Sequence, residues 1–194
     1  MDRSTLESRI RDSIACKERL LRECVADVEA LGRLAVECLR GGGKLMLCGN
    51  GGSSCDAAHA AGELVGWFED KQRDGIAAIA LGHEVPALTA IGNDAGYEHV
   101  FSRPLRALGR RGDLLIGIST SAGSRNVVAA MDAARALGIR RAALVGGKPG
   151  PVAELAEVAV RVPSTSTPRI QEGHLLVIHL LCEWIERNLP LEPR

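Results

Sequence analysis

The sequence predicts an α/β protein: a single doubly wound domain with a central five-stranded parallel sheet and N-terminal helices. Three observations lead there. Short apolar runs such as 44–48, 114–118 and 142–145 alternate with stretches of helical periodicity, and parallel strands covered on both faces read that way. Turns rich in glycine or serine follow the first and third of the predicted strands, at the end of such sheets where ligands bind. Residues 4–40, by contrast, carry helical periodicity alone.

The composition agrees. The chain has 194 residues, 46% of them hydrophobic and 25% charged, which suits one packed core and excludes a disordered chain. Its 24 basic side chains balance 24 acidic ones, and its only aromatics are Trp67, Phe68, Tyr97, Phe101 and Trp184. A basic surface studded with stacking rings is therefore not expected, nor is a nucleic-acid partner. No apolar run approaches the ~20 residues that cross a bilayer, the N-terminus lacks the apolar core of a signal peptide, and the cysteines form no CxxC pair. These features predict a cytoplasmic protein with reduced thiols and no membrane partner.

Taken in order, residues 4–40 are helical, with Ser4 or Thr5 able to cap the start. Leu6, Ile10 and Ile14 mark one face, continued by Leu20, Leu21, Cys24, Val25, Val28, Leu31, Leu34, Ala35 and Leu39. A weak patch at Lys17–Arg19 predicts a kink or two consecutive helices, and Gly41-Gly42-Gly43 ends the segment. Residues 44–48 read as a strand, then a glycine turn and a helix over 53–68. Ile76–Leu81 is the second strand, Val85–Ile91 a short helix, and Gly92-Asn93-Asp94 a polar turn before a helix over 100–108. The pattern continues with strand 114–118, helix 125–137, strand 142–145, short helix 152–156 and strand 158–162. Pro168 opens a last helix that runs to Asn188, and the Pro-rich tail at 190–194 reads as a frayed end.

Two loops can carry chemistry. Gly49-Asn50-Gly51-Gly52-Ser53-Ser54 approximates GxGxxG but has Ser54 for the third glycine, which favours a small-molecule turn over a dinucleotide site. In Ser119-Thr120-Ser121-Ala122-Gly123-Ser124, the hydroxyls of Ser119, Thr120, Ser121 and Ser124 surround a helix start whose N–H groups are free to hold an anion. The competing role is a plain serine-rich turn in which Ser124 caps the helix. The absence of Gly-Lys-Ser/Thr favours a monophosphate over a nucleoside triphosphate. His59 and Glu63, four apart, share a helix face. Gln171 and His179 lie eight apart, on faces differing by about 80°, so they meet the first pair only if the last helix crosses the sheet edge or comes from a neighbouring subunit. His83, His99 and His174 carry no pattern.

Cys48-Gly49-Asn50-Gly51-Gly52-Ser53, then Ala57-Ala58-His59 and Glu63-Leu64, resembles the start of a sugar-isomerase (SIS) domain. The remainder is similar to the phosphoheptose isomerases of that group: Gly92-Asn93-Asp94, Phe101-Ser102-Arg103, Gly112-Asp113, Gly117-Ile118-Ser119-Thr120-Ser121, Arg169-Ile170-Gln171-Glu172 and His179. This resemblance covers nearly the whole chain in the family's order. It implies one SIS domain over 1–194, with residues 1–42 as oligomerisation helices and 43–190 as the sugar-phosphate core. It implies conversion of sedoheptulose 7-phosphate to D-glycero-D-manno-heptose 7-phosphate, a step toward nucleotide-activated heptose.

By the same resemblance, Asn50, Gly51, Gly52, Glu63, Asn93, Asp94, Ser119, Thr120, Ser121, Ser124 and Gln171 would bind substrate. Glu63 and His179 would be the catalytic pair, and His59, Glu63, Gln171 and His179 would hold one zinc per subunit of a homotetramer. Two departures stand out: Trp67 where many relatives have arginine, and Pro168 at a position acidic in some members. The alternatives are a non-catalytic SIS adaptor that binds a replication initiator, and an isomerase of another phosphosugar. A sugar-sensing transcription regulator would need a DNA-binding domain for which residues 1–40 leave little room.

Overall fold

The computed structural model describes residues 1–189, so the tail at 190–194 lies outside the described residues. Two helices, α1 (Arg3–Glu23) and α2 (Val25–Arg40), precede the sheet. Then come β1 (Leu45–Gly49), α3 (Gly52–Val65), β2 (Ala78–Ala80), α4 (Val85–Asp94), a short 3-10 turn (Tyr97–His99) and α5 (Ser102–Leu108). The chain continues with β3 (Leu114–Ser119), α6 (Arg125–Ala136), β4 (Arg140–Gly146), α7 (Pro151–Glu154), β5 (Val158–Val162) and α8 (Thr167–Asn188). Among the described residues no helix is long and apolar enough to cross a membrane.

The five strands are all parallel, in the order β2-β1-β3-β4-β5. Their side chains alternate between two cores. Leu45 and Leu47 of β1, with Leu114, Ile116 and Ile118 of β3, face α1, α2, α3 and α8. Met46, Cys48 and Leu115 point the other way, toward α4, α5, α6 and α7. Burial on both faces is why the strands read as unbroken apolar runs. Helix α2 belongs to this core, since Leu31, Leu34, Ala35 and Cys38 are buried at helical spacing. In α3 the sheet-facing positions are mostly alanine (Ala57, Ala60, Ala61), which lets the helix lie close to the sheet.

The fold class and strand count agree with the sequence reading, while several boundaries differ. The cap of α1 is Asp2, whose carboxylate accepts from Thr5 N at 2.9 Å, not Ser4 or Thr5. The two leading helices part at Cys24 rather than at Lys17–Arg19; Cys24 Sγ donates to Arg161 O at 3.2 Å, which pins the break to β5. Helix α3 stops at Val65, leaving Trp67 and Phe68 in a loop, and β2 shrinks to Ala78–Ala80. Gly92-Asn93-Asp94 is no turn: α4 runs through Asp94. Pro168 sits in the first turn of α8, where a missing N–H costs nothing.

Strand order reverses between β1 and β3, which run side by side with Gly49 opposite Ile118. The loops leaving their carboxyl ends diverge to opposite faces of the sheet and open a crevice between them.

Candidate active site

The loop after β1 turns on Gly51, whose φ of +55° would strain any residue with a Cβ. A Cβ on the next residue, Gly52, would collide with the Gln171 amide, so this glycine pair lets α8 approach the start of α3. Asn50 reaches across to α6. Its side chain and that of buried Asn126 exchange hydrogen bonds of 2.8 and 2.7 Å, and Tyr97 OH donates to Asn50 Oδ1 at 3.3 Å. Asn50, Tyr97, Ser124, Arg125 and Asn126 line an open cavity of about 360 Å³.

On the other side of the crevice, Ser119 is buried at the end of β3. Its hydroxyl lies 2.9 Å from Ser124 Oγ and 3.4 Å from Ser121 Oγ. Ser124 stands at the cap position of α6, yet its side chain caps nothing. The expected capping role is therefore not taken up, because the hydroxyl turns inward to Ser119. Ala122 holds φ +56° in the same loop, a strained value for a residue with a Cβ. Thr120 is half-buried between them. The product is a ring of uncharged donors at a helix start, with Gly123 N donating to Ser121 Oγ at 3.2 Å.

Helices α3 and α8 lie alongside each other and run parallel. Gln171 meets Gly52, and eight residues later His179 meets His59, so the pairing advances in step along both helices. Their Nε2 atoms stand 2.9 Å apart, with ring centroids at 5.2 Å. As a hydrogen bond, this contact has one Nε2 donating and the other accepting. Glu63 Oε1 lies 3.5 Å from His59 Nε2, and the Phe68 ring packs on His179 at 5.6 Å. The meeting needs neither passage around the sheet edge nor a neighbouring subunit, because α8 lies over the same face of the sheet as α3.

Three of the four expected metal ligands thus converge: His59, Glu63 and His179. Gln171 stands beside Gly52 instead, and among the described residues no three His, Cys, Asp or Glu side chains form a finished ligand cluster. The donor types, imidazole nitrogen and carboxylate oxygen, are those that zinc takes. Asn93 and Asp94 are exposed on α4 and bond to each other at 2.7 Å, without joining the cluster. Trp67 is exposed in the loop after α3.

Some residues of the site were not singled out from sequence. Asp56, one turn before His59, is half-buried with Oδ2 unpartnered. Burial pushes its carboxyl up to about 6, against a smaller opposing pull from His59. Its spacing of three from His59 and seven from Glu63 was the available signal. Asn126 and Tyr97 offered none, since their role depends on contact with Asn50.

Comparison with known proteins fits this geometry. Residues 10–146 match the SIS domain family. A phosphoheptose isomerase of Akkermansia muciniphila is 47% identical over 176 residues, covering 91% of this chain and 93% of that one. The chain belongs to the phosphoheptose isomerase family. A solved phosphoheptose isomerase from Neisseria gonorrhoeae superposes with a TM-score of 0.89 at 41% identity, covering 95% of this chain and 98% of that one. Another from Francisella tularensis gives 0.91 at 33% identity, covering 95% and 97%.

Proposed function

We propose that this family member is a ketose–aldose isomerase that converts sedoheptulose 7-phosphate to D-glycero-D-manno-heptose 7-phosphate for heptose biosynthesis. The observation that carries the reading is the meeting of a carboxylate, Glu63, and an imidazole, His179, at His59 on two parallel helices, in a molecule that also holds a ring of hydroxyls at the start of α6. Isomerisation needs a base at the carbons and a second group that moves a proton between the oxygens.

The phosphate sits in the cradle of Ser119, Thr120, Ser121 and Ser124, held by hydroxyls and the N–H groups that open α6. Asn50, Gly51, Gly52, Asn93, Asp94 and Gln171 take the sugar hydroxyls. One member of the Glu63–His179 pair removes a proton from C1 while the other protonates the C2 oxygen, giving an enediol. The proton held by the base then returns at C2, and the O1 proton leaves to the second group, which completes the aldose. Atoms balance without a redox cofactor. Held by His59, Glu63 and His179, zinc would polarise the substrate oxygens as a Lewis acid.

The assembly we propose is a homotetramer. Leu6, Ile10, Ile14, Leu21 and Val25 of the leading helices are exposed, and Leu20, Leu21, Val25, Val28, Leu180 and Trp184 line a groove of about 630 Å³. Apolar surface in such quantity marks an interface. We place the enzyme in the cytoplasm, in keeping with its six free cysteines.

The test is incubation of purified protein with sedoheptulose 7-phosphate, followed by NMR. Appearance of an aldoheptose 7-phosphate without nucleotide or redox cofactor is expected. No conversion with or without zinc, together with tight binding to a replication initiator, would replace the enzyme with the adaptor.

A further inference from the structure

The C-terminal end of α3 is closed by a residue outside the helix. The last carbonyls of a helix lack internal partners, and here one guanidinium takes two of them, Leu64 O accepting from Ile76 N as well. Arg73 Nη2 donates to Glu63 O at 2.7 Å; Nη1 donates to Leu64 O at 2.9 Å, Gly66 O at 3.1 Å and Asp74 O at 2.9 Å. Its Nε donates to Glu186 Oε1 at 2.6 Å. Both side chains are sealed from water, Arg73 at 1% exposure and Glu186 at 7%.

Glu186 does a second job. Its oxygens accept from the backbone N–H groups of Phe68, Glu69 and Asp70 at 3.0, 3.0 and 3.1 Å. Burial alone would raise this carboxyl, yet Arg73 and the three N–H groups outweigh it and hold it below its ordinary value. On α8, Glu186 lies seven residues beyond His179, hence on nearly the same face two turns on. The segment it grips begins with Phe68, the residue whose ring packs on His179.

We infer that Arg73 and Glu186 are positioning residues for the isomerisation, a buried clamp that sets the Glu63 end of α3 against the His179 face of α8. The inference rests on the assignment of Glu63 and His179 as the reacting pair. One arm of the clamp ends on the backbone carbonyl of Glu63 itself. The other arm acts through the Phe68 segment on the His179 ring. Neither Arg73 nor Glu186 touches substrate. The phosphate cradle is built on β3 and α6, on elements the clamp does not reach, so chemistry and phosphate binding should respond to it differently.

The experiment compares Arg73→Lys, which keeps the charge and loses the planar fork, with Glu186→Gln, which keeps the shape and loses the charge. Folding is checked by circular dichroism and thermal melting, and kinetics are read well below each melting temperature. Expected is a fall in kcat of about 10- to 100-fold, the scale of a misplaced reacting group, with KM for sedoheptulose 7-phosphate changed by less than about threefold. The His179 ring proton signals should shift in both variants, because Phe68 moves against the imidazole.

A merely structural clamp would lower the melting temperature and leave kcat and those signals unchanged in the folded enzyme; that result overturns the inference. So does failure of both variants to fold, which would make the pair a fold determinant only. Glu63→Gln, assayed alongside, separates the two readings. If it is fully active, the assignment of the reacting pair is wrong. If it is inactive while Arg73→Lys and Glu186→Gln keep their kcat, the clamp inference alone fails.

Discussion

Asn50 and Asn126 hold each other amide to amide, Asn126 Nδ2 donating to Asn50 Oδ1 at 2.7 Å and Asn50 Nδ2 to Asn126 Oδ1 at 2.8 Å. Seventy-six positions separate them, yet the pair ties the loop after β1 directly to the helix that follows the serine loop. Asn126 Oδ1 also accepts from Val127 N at 3.0 Å. The pair therefore joins the substrate loop to the start of α6.

Breaking this tie should cost both stability and binding. Asn126→Ala leaves half-buried Asn50 Nδ2 without its acceptor while Tyr97 still holds Oδ1, and an orphaned polar group shielded from water costs about 1–3 kcal/mol. Urea denaturation should show that loss, with a raised KM because Asn50 no longer holds its pose. Unchanged stability and KM would mean that the two loops are fixed by something else.

The serine ring should govern KM. Ser119→Ala removes the hydroxyl that Ser124 and Ser121 face, and Ser121→Ala removes one exposed donor. A lost hydrogen bond to a charged group is worth about 1.5–3 kcal/mol, or roughly 10- to 150-fold in KM, with kcat little altered. Steady-state kinetics on sedoheptulose 7-phosphate decide it. A fall in kcat at constant KM would place the phosphate elsewhere.

Glu63→Gln should fold, bind phosphate and fail to turn over, since an amide accepts no proton at neutral pH. His179→Ala should fail as well, by losing an acid, a base or a ligand. The checks are kcat for both variants and metal content by elemental analysis. Full activity in metal-free enzyme would remove zinc from the scheme and leave the proton-transfer pair standing.

His174 predicts a pH dependence. It is fully buried in α8, neither ring nitrogen has a partner of hydrogen-bonding geometry, and burial pushes its imidazole down to about 4, offset in part by the backbone of Val145. The unfolded chain takes up this proton near 6.5, so between that pH and about 4 the unfolded state binds more protons than the folded one. Stability should be complete above 6.5 and fall by about 3 kcal/mol as the pH drops to 4. His174→Leu should flatten this part of the profile in urea denaturation. An unchanged slope would show that other groups carry it.

Assembly is checked by light scattering. A tetramer should persist at assay concentrations, and Ile10→Glu with Leu21→Glu should dissociate it by placing charge on the apolar face of α1. A fully active monomer would refute the proposed role of that face.

The periodicity in the sequence was enough to determine the architecture. Continuous runs such as Leu45–Cys48 and Leu114–Ile118 are legible because burial on both faces leaves no polar alternation to confuse them. The glycine and serine loops were legible as well, since the backbone at Gly51 and a helix start ringed by hydroxyls each leave a local signature. Within α3, the pairing of His59 with Glu63 follows from helix geometry alone.

Only the tertiary structure decided what lies across the chain. His59 and His179 meet because α8 returns over the face that α3 occupies, a packing choice that no local spacing encodes. The Asn50–Asn126 exchange and the pairing of Arg73 with Glu186 have the same origin. Each satisfies a polar group whose partner is distant in sequence, and burial supplies the penalty that makes the partnership necessary. Local pattern sets which elements form; the need to pair every buried donor and acceptor sets which of them meet.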